Sequence, residues 1–259
     1  MKKLFNQFVI ASLFLIAFTA CEQSEKPGGI PGMGETPGEL EIAEPFVAPE
    51  GLSIDVKGVD EIRIDNNAGA ANLKSATSGD WSYTYGCGGD FDEHHDNDYV
   101  FWITTKISYS NISNTEICVT IPKGTVFKVS DPTAQNGILT EDVEVCVKPN
   151  ETMVCNFVLM CLNRGRPGSN TDLFYEILGT TDSEQIKEIL GYLEGKKIGI
   201  EYYVNISPSA GLKAANADDF EKYKEIADRI QNTIWKVTND GQSLSQEDID
   251  YFKSLPDLE

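Results

Sequence analysis

Cysteine is where this 259-residue chain concentrates its reactive potential, with thiols at positions 21, 87, 118, 146, 155 and 161. Cys21 follows an apolar N-terminal run and belongs to a separate argument, which leaves five, an odd number. An oxidising compartment pairs cysteines, so parity predicts at least one unpaired thiol. Cys146 and Cys155 lie at equal distance from Asn150-Glu151, the tip of an expected hairpin, which predicts a cross-strand disulfide between them. Cys87 with Cys118 then forms a second, and Cys161 is left over. Any one of the five also suits a plain buried thiol, because free cysteine behaves as a small apolar side chain.

The next densest grouping is Gly86–Asp98, GCGGDFDEHHDND, which holds both histidines beside Asp90, Asp92, Glu93, Asp96 and Asp98. Carboxylates and imidazoles suit a divalent cation. Adjacent histidines point opposite ways in a strand, however, and the spacing matches no defined loop, so a solvated acidic connection is expected and no metal is assigned. Near Gly241 the chain resembles half an EF-hand, but Lys236 occupies the position that needs an acidic ligand. No Gly-x-Ser-x-Gly elbow occurs, and a serine triad has no support. Arg164 and Arg166 suit an anion site or, more simply, a polar connection between a strand and a helix.

Two kinds of periodicity position these groups. Between residues 51 and 170 the runs YVFWITTKISY, EICVTIPKGTVFKV, DVEVCV and TMVCNFVLMC are β-branched and aromatic, with Val143, Val145 and Val147 on one face. They predict an antiparallel β-sandwich or barrel. From 171 to 259 the spacing becomes helical. Ile186, Ile189, Leu190 and Leu193 form one stripe after the caps Thr181-Asp182-Ser183. Tyr223, Ile226, Ala227, Ile230 and Ile234 form another, starting near Asp218 or Asp219, and Ser245 caps a short last helix. Ile198–Ile206 reads as a strand between helices. The fold class is α+β, a β-rich domain followed by a helical portion packed on it.

Residues 1–20 combine Lys2 and Lys3 with the apolar stretch FVIASLFLIAF, too short for a spanning helix and built as a secretory signal. Thr19-Ala20-Cys21 resembles a bacterial lipobox, which implies cleavage before Cys21 and a lipid anchor of diacylglycerol and palmitate-type chains on it. Residues 21–50 are rich in Pro, Gly and Glu and read as a tether. Glu22 and Glu25 resemble the surface-export signals of Bacteroidetes lipoproteins, which implies lipid anchoring at the outer membrane or cell surface. A formal net charge of -20 excludes a general nucleic-acid binder and favours basic partners.

The block RIQNTIWKVTND, with Gln231, Ile234, Trp235, Thr238 and Asp240, and the block MCLN around Cys161 resemble the thioester domains of bacterial surface adhesins. Ile230, Thr233 and Met160 stand where that family has Thr, Ala and an aromatic. The resemblance implies a self-formed thioester between Cys161 and Gln231, covered by Trp235, that reacts with an exposed lysine of a protein ligand. No cofactor and no turnover are implied. A Gln at a helix boundary and a Trp anchoring a core are the ordinary alternative, in which the chain is a non-covalent binding or structural lipoprotein.

Overall fold

The computed structural model describes residues 28–59, 62–63, 74–75, 89–90, 100–101, 103–199, 202–207, 211–214 and 217–258. In chain order the first strands are β1 (Ile42–Pro45), β2 (Leu52–Val59), β3 (Ile62–Arg63), β4 (Lys74–Ser75), β5 (Gly89–Asp90) and β6 (Val100–Phe101). Next come β7 (Ile103–Asn111), β8 (Ile117–Ile121), β9 (Thr125–Val129), β10 (Gly137–Ile138), β11 (Val143–Val147), β12 (Thr152–Cys161) and β13 (Tyr175–Thr181). Helix α1 (Glu184–Leu193), the hairpin β14 (Val204–Ser207) and β15 (Gly211–Ala214), then α2 (Ala217–Thr238) and α3 (Gln246–Ser254) complete the chain.

The protein is α+β. Seven strands form one antiparallel sheet in the order β1-β13-β9-β10-β12-β7-β2. The sheet curls until its far edge returns to β13: Lys57 of β2 bridges to Phe174, and the Gly58 N–H donates to the Leu173 carbonyl at 2.7 Å. A ribbon of β8 and β11 lies over one face. There Ile103, Ile107, Phe127, Phe157 and Leu159 bury against Val119, Ile121, Val143, Val145 and Val147. The opposite face receives the helices, whose stripes of Ile186, Ile189, Leu190, Tyr223, Ile226, Ile230 and Ile234 pack on Val126, Ile138 and Leu162. Alternation along a strand thus supplies two separate cores from the two faces of one sheet.

Three expectations change. The strands flanking Pro149-Asn150 do not pair as a hairpin. Residues 148–151 do make a tight turn, with Asn150 at φ 56° and the Glu151 N–H on the Lys148 carbonyl. But β11 pairs with β8 while β12 pairs with β7 and β10, so the turn carries the chain from one layer to the other. Cys146 consequently faces Cys118, and those two form the disulfide in place of the expected Cys146–Cys155 and Cys87–Cys118 pairs. Cys155 is also disulfide-bonded.

The boundary near 170 is not a structural one either, because β13 lies in the middle of the main sheet. Finally, the tether reading fails from Gly28 onward. Met33 is buried in the helix-side core, and β1 pairs with β13 at the sheet edge. The expectations for residues 1–20, for the Cys21 anchor, for Cys87 and for the acidic stretch 91–98 lie outside the described residues.

The helical caps follow the sequence closely. Ser183 accepts from the Ile186 N–H and starts α1. Ser245 and Asp248 form a reciprocal capping box on α3.

Candidate functional site

Strand β12 delivers Cys161 at its last position, and α2 delivers Gln231 from above the sheet. The two meet. The Cys161 N–H donates to Gln231 Oε1 at 2.7 Å, and Gln231 Nε2 donates to the Cys161 carbonyl at 2.8 Å. Strand pairing explains why those main-chain groups accept a side chain. Opposite β10, Gly137 faces Cys161, and the Leu162 N–H donates to Asn136, so the bonds to β10 flank Cys161 rather than use its own groups. On its other side, pairing with β7 ends where Leu159 faces Ile103. The Gln231 amide takes the next place as if it were a peptide unit of the neighbouring strand.

Both residues are sealed from water, Cys161 at 0% exposure and Gln231 at 3%. Cys161 is the free cysteine among the described residues. Its side chain belongs to the ribbon-side core with Phe157, Leu159 and Tyr175, and burial pushes its thiol pKa well up, so the sulfur is protonated at neutral pH. Tyr175 is driven upward too, first by burial and then by Cys161. Trp235, one turn beyond Gln231, packs against this same core rather than against the helix-side one. The Arg164 guanidinium lies 5.6 Å from the centre of its ring.

Around the pair, short polar links fix the end of β12 to its neighbours. Asn163 accepts from the Asn136 N–H at 2.9 Å, its own N–H donates to Gln135 at 3.2 Å, and its amide donates to the Gly34 carbonyl at 2.7 Å. Asn239, just past α2, accepts from the Arg164 N–H at 2.9 Å and donates to the Leu162 carbonyl at 3.3 Å. Arg164 pairs with Asp240 at 3.0 Å and Arg166 with Glu35 at 3.6 Å. The two arginines are thus matched by carboxylates of the protein itself, and the anion reading falls away. Gln135 and Asn136 gave no signal in the sequence. The role of Asn239 was masked because Asn-Asp-Gly reads as a simple turn.

On the far side of α2, Asp248 of α3 is wholly buried between Arg229 at 2.8 Å and Lys236 at 3.1 Å. Arg229, Thr233 and Lys236 recur at helical spacing, opposite the face that carries Gln231. Thus α2 is clamped on its back by charge while its front presents the amide to β12. Cys118, Glu144 and Cys146 also place ligand-type atoms within 4.8 Å of one another. The disulfide consumes both thiols of that grouping, so it offers no thiolate pair to a metal.

Chemically, a buried thiol and a carboxamide bonded to the main chain of the same residue are the functional groups from which a thioester is made. The hydrogen bond from the Cys161 N–H to Gln231 Oε1 polarises the amide carbonyl. Comparison with protein-family models, curated proteins and solved structures finds no match for this chain.

Proposed function

We propose that Cys161 and Gln231 form an internal thioester, and that the protein is a surface-anchored lipoprotein that attaches covalently to amine-bearing ligands. The observation that carries this reading is the reciprocal hydrogen bonding of the Gln231 amide to the main chain of the one free, buried cysteine among the described residues. In the forming step the sulfur attacks the amide carbon. An S–C bond replaces the C–N bond, and the thiol proton leaves with the nitrogen as ammonia. In the attachment step a lysine amine displaces the sulfur, giving an amide and regenerating the thiol. The reaction is used once and has no turnover. Burial suits it, because water hydrolyses an exposed thioester before a ligand arrives.

A second reading has an observation of its own. A glutamine that satisfies both main-chain groups of a strand residue is also an ordinary structural bond, and a neutral buried thiol is a sluggish nucleophile. Under that reading the protein is a non-covalent binding or structural lipoprotein. Intact mass separates the two. A wild-type mass one ammonia below the calculated value, restored by Cys161→Ala and shifted upward by methylamine, supports the thioester. Full mass apart from disulfide hydrogens, with no methylamine uptake, sinks it.

A further inference from the structure

We infer that the Tyr175 hydroxyl carries the proton that must pass between the Cys161 sulfur and a nitrogen each time the thioester is made or opened. The inference rests on the thioester reading and adds to it a residue with a role in the chemistry.

Tyr175 breaks a packing rule. It is 6% exposed, and its hydroxyl has no hydrogen-bond partner among the described residues. A buried hydroxyl without a partner costs stability, and phenylalanine fills nearly the same volume without that cost. Such violations are expected at functional sites. Strand register places the tyrosine with Cys161. Cys161 of β12 faces Gly137 of β10, Gly137 faces Phe127 of β9, and Phe127 faces Ile177 of β13. Directly opposed residues share a face of the sheet, and Tyr175 stands two residues from Ile177 on that same face. The curl of the sheet turns Tyr175 and Cys161 into one core, the ribbon-side core that also holds Phe127 and Val129. Charge on the Cys161 sulfur reaches the phenol and, after burial, is the second influence that keeps it protonated.

The chemistry needs a proton carrier. In the forming step an S–C bond replaces the C–N bond, and one proton travels from sulfur to the departing ammonia. In the opening step an N–C bond replaces the S–C bond, and one proton travels from the amine nitrogen to sulfur. Bulk water is kept from this transfer, because Cys161 is 0% and Gln231 3% exposed. Tyr175 performs it by giving its hydroxyl proton to one atom while accepting a proton from the other, and it ends each step unchanged. Burial holds both the thiol and the phenol protonated at rest, so the two transfers are concerted and no phenolate stands in the apolar core. Contact between hydroxyl and sulfur at rest is not required, since catalytic hydrogen bonds commonly tighten only as the reaction proceeds. Tyr109 supplies the control. It lies in the same core at 0% exposure, and its hydroxyl also has no partner among the described residues. It faces Met153, at the other end of β12 from Cys161 and about 26 Å away along the strand.

The test uses the full chain, wild type beside Tyr175→Phe and Tyr109→Phe. Intact mass of the wild type comes first, and a full mass there ends the thioester reading and this inference with it. With the wild type one ammonia light, Tyr175→Phe should either keep its full mass or, where the bond forms, take up methylamine at least about a hundredfold more slowly. Tyr109→Phe should match the wild type in mass and in rate. Urea midpoints are compared in the Cys161→Ala background, where no cross-link forms. There each Phe variant should unfold at or above the midpoint of Cys161→Ala alone, because no hydrogen bond is lost. That readout separates a missing proton carrier from a damaged fold. A light Tyr175→Phe protein with wild-type uptake would overturn the inference and leave the thioester standing. Equal slowing in Tyr109→Phe would do the same, as would a lowered midpoint or failure to fold in Tyr175→Phe, which would give its hydroxyl a structural bond instead.

Discussion

Replacing either member of the central pair with alanine should have unequal consequences for stability, because the hydrogen bonds run to the Cys161 main chain and not to its sulfur. Cys161→Ala keeps both bonds. It removes one buried sulfur from a well-packed site, a loss of about 1 kcal/mol. Gln231→Ala removes both bonds and leaves an N–H and a carbonyl facing a space with 3% or less exposure. Each such unsatisfied buried group costs about 1–3 kcal/mol, and with some water entry the total should be about 2–4 kcal/mol. A formed thioester would add a cross-link over 70 residues, worth roughly 4 kcal/mol by loop entropy. Both variants lose that cross-link equally, so their difference is independent of it. Urea unfolding followed by tryptophan fluorescence should place Gln231→Ala below Cys161→Ala by about 1–3 kcal/mol. Equal stabilities, or a less stable Cys161→Ala, would refute the claim that main-chain pairing holds Gln231 in place.

Two further outcomes follow from charges and disulfides. Asp248 is buried, which raises its pKa, but hydrogen bonds from Ser245 and Lys236 outweigh this and hold the carboxyl below its ordinary range. A depressed folded-state pKa stabilises above the unfolded value of about 4 and is lost as pH falls through the folded one. Asp248→Asn should therefore cost about 2–4 kcal/mol near neutrality and flatten the acid limb of Tm against pH; an unchanged acid limb would assign that limb to other groups. Peptide mapping without reduction should recover Cys118 joined to Cys146. Cys118→Ser with Cys146→Ser should lower stability by about 3 kcal/mol through a loop of 28 residues, checked by the same urea titration.

What the sequence revealed depended on the range over which each feature is decided. Helix stripes and caps are local, so Ser183, Ser245 and the buried faces of α1 and α2 were legible from spacing alone. Strands β7, β8, β9, β11 and β12 were legible too, but β1 and β13 were not, and neither was strand partnership. Symmetry about Asn150 pointed to Cys146 with Cys155, yet a tight turn serves equally to link two layers, and only the tertiary pairing of β8 with β11 chooses. The Gln231–Cys161 contact was accessible solely through a motif resemblance, since the residues are 70 apart and neither is unusual by type.

The order of residues 28–40 was the hardest to see. Its Pro, Gly and Glu content is that of a linker, and composition is the normal guide to disorder. Here glycine is used for close approach to the Thr238 carbonyl, and Met33 supplies the burial with Ile30 and Leu40 packed beside it. A segment of that composition has little stability of its own, so its order must come almost wholly from the surface that receives it. That dependence is why residues 28–40 read as a tether in the sequence and yet belong to the helix-side core in the structure.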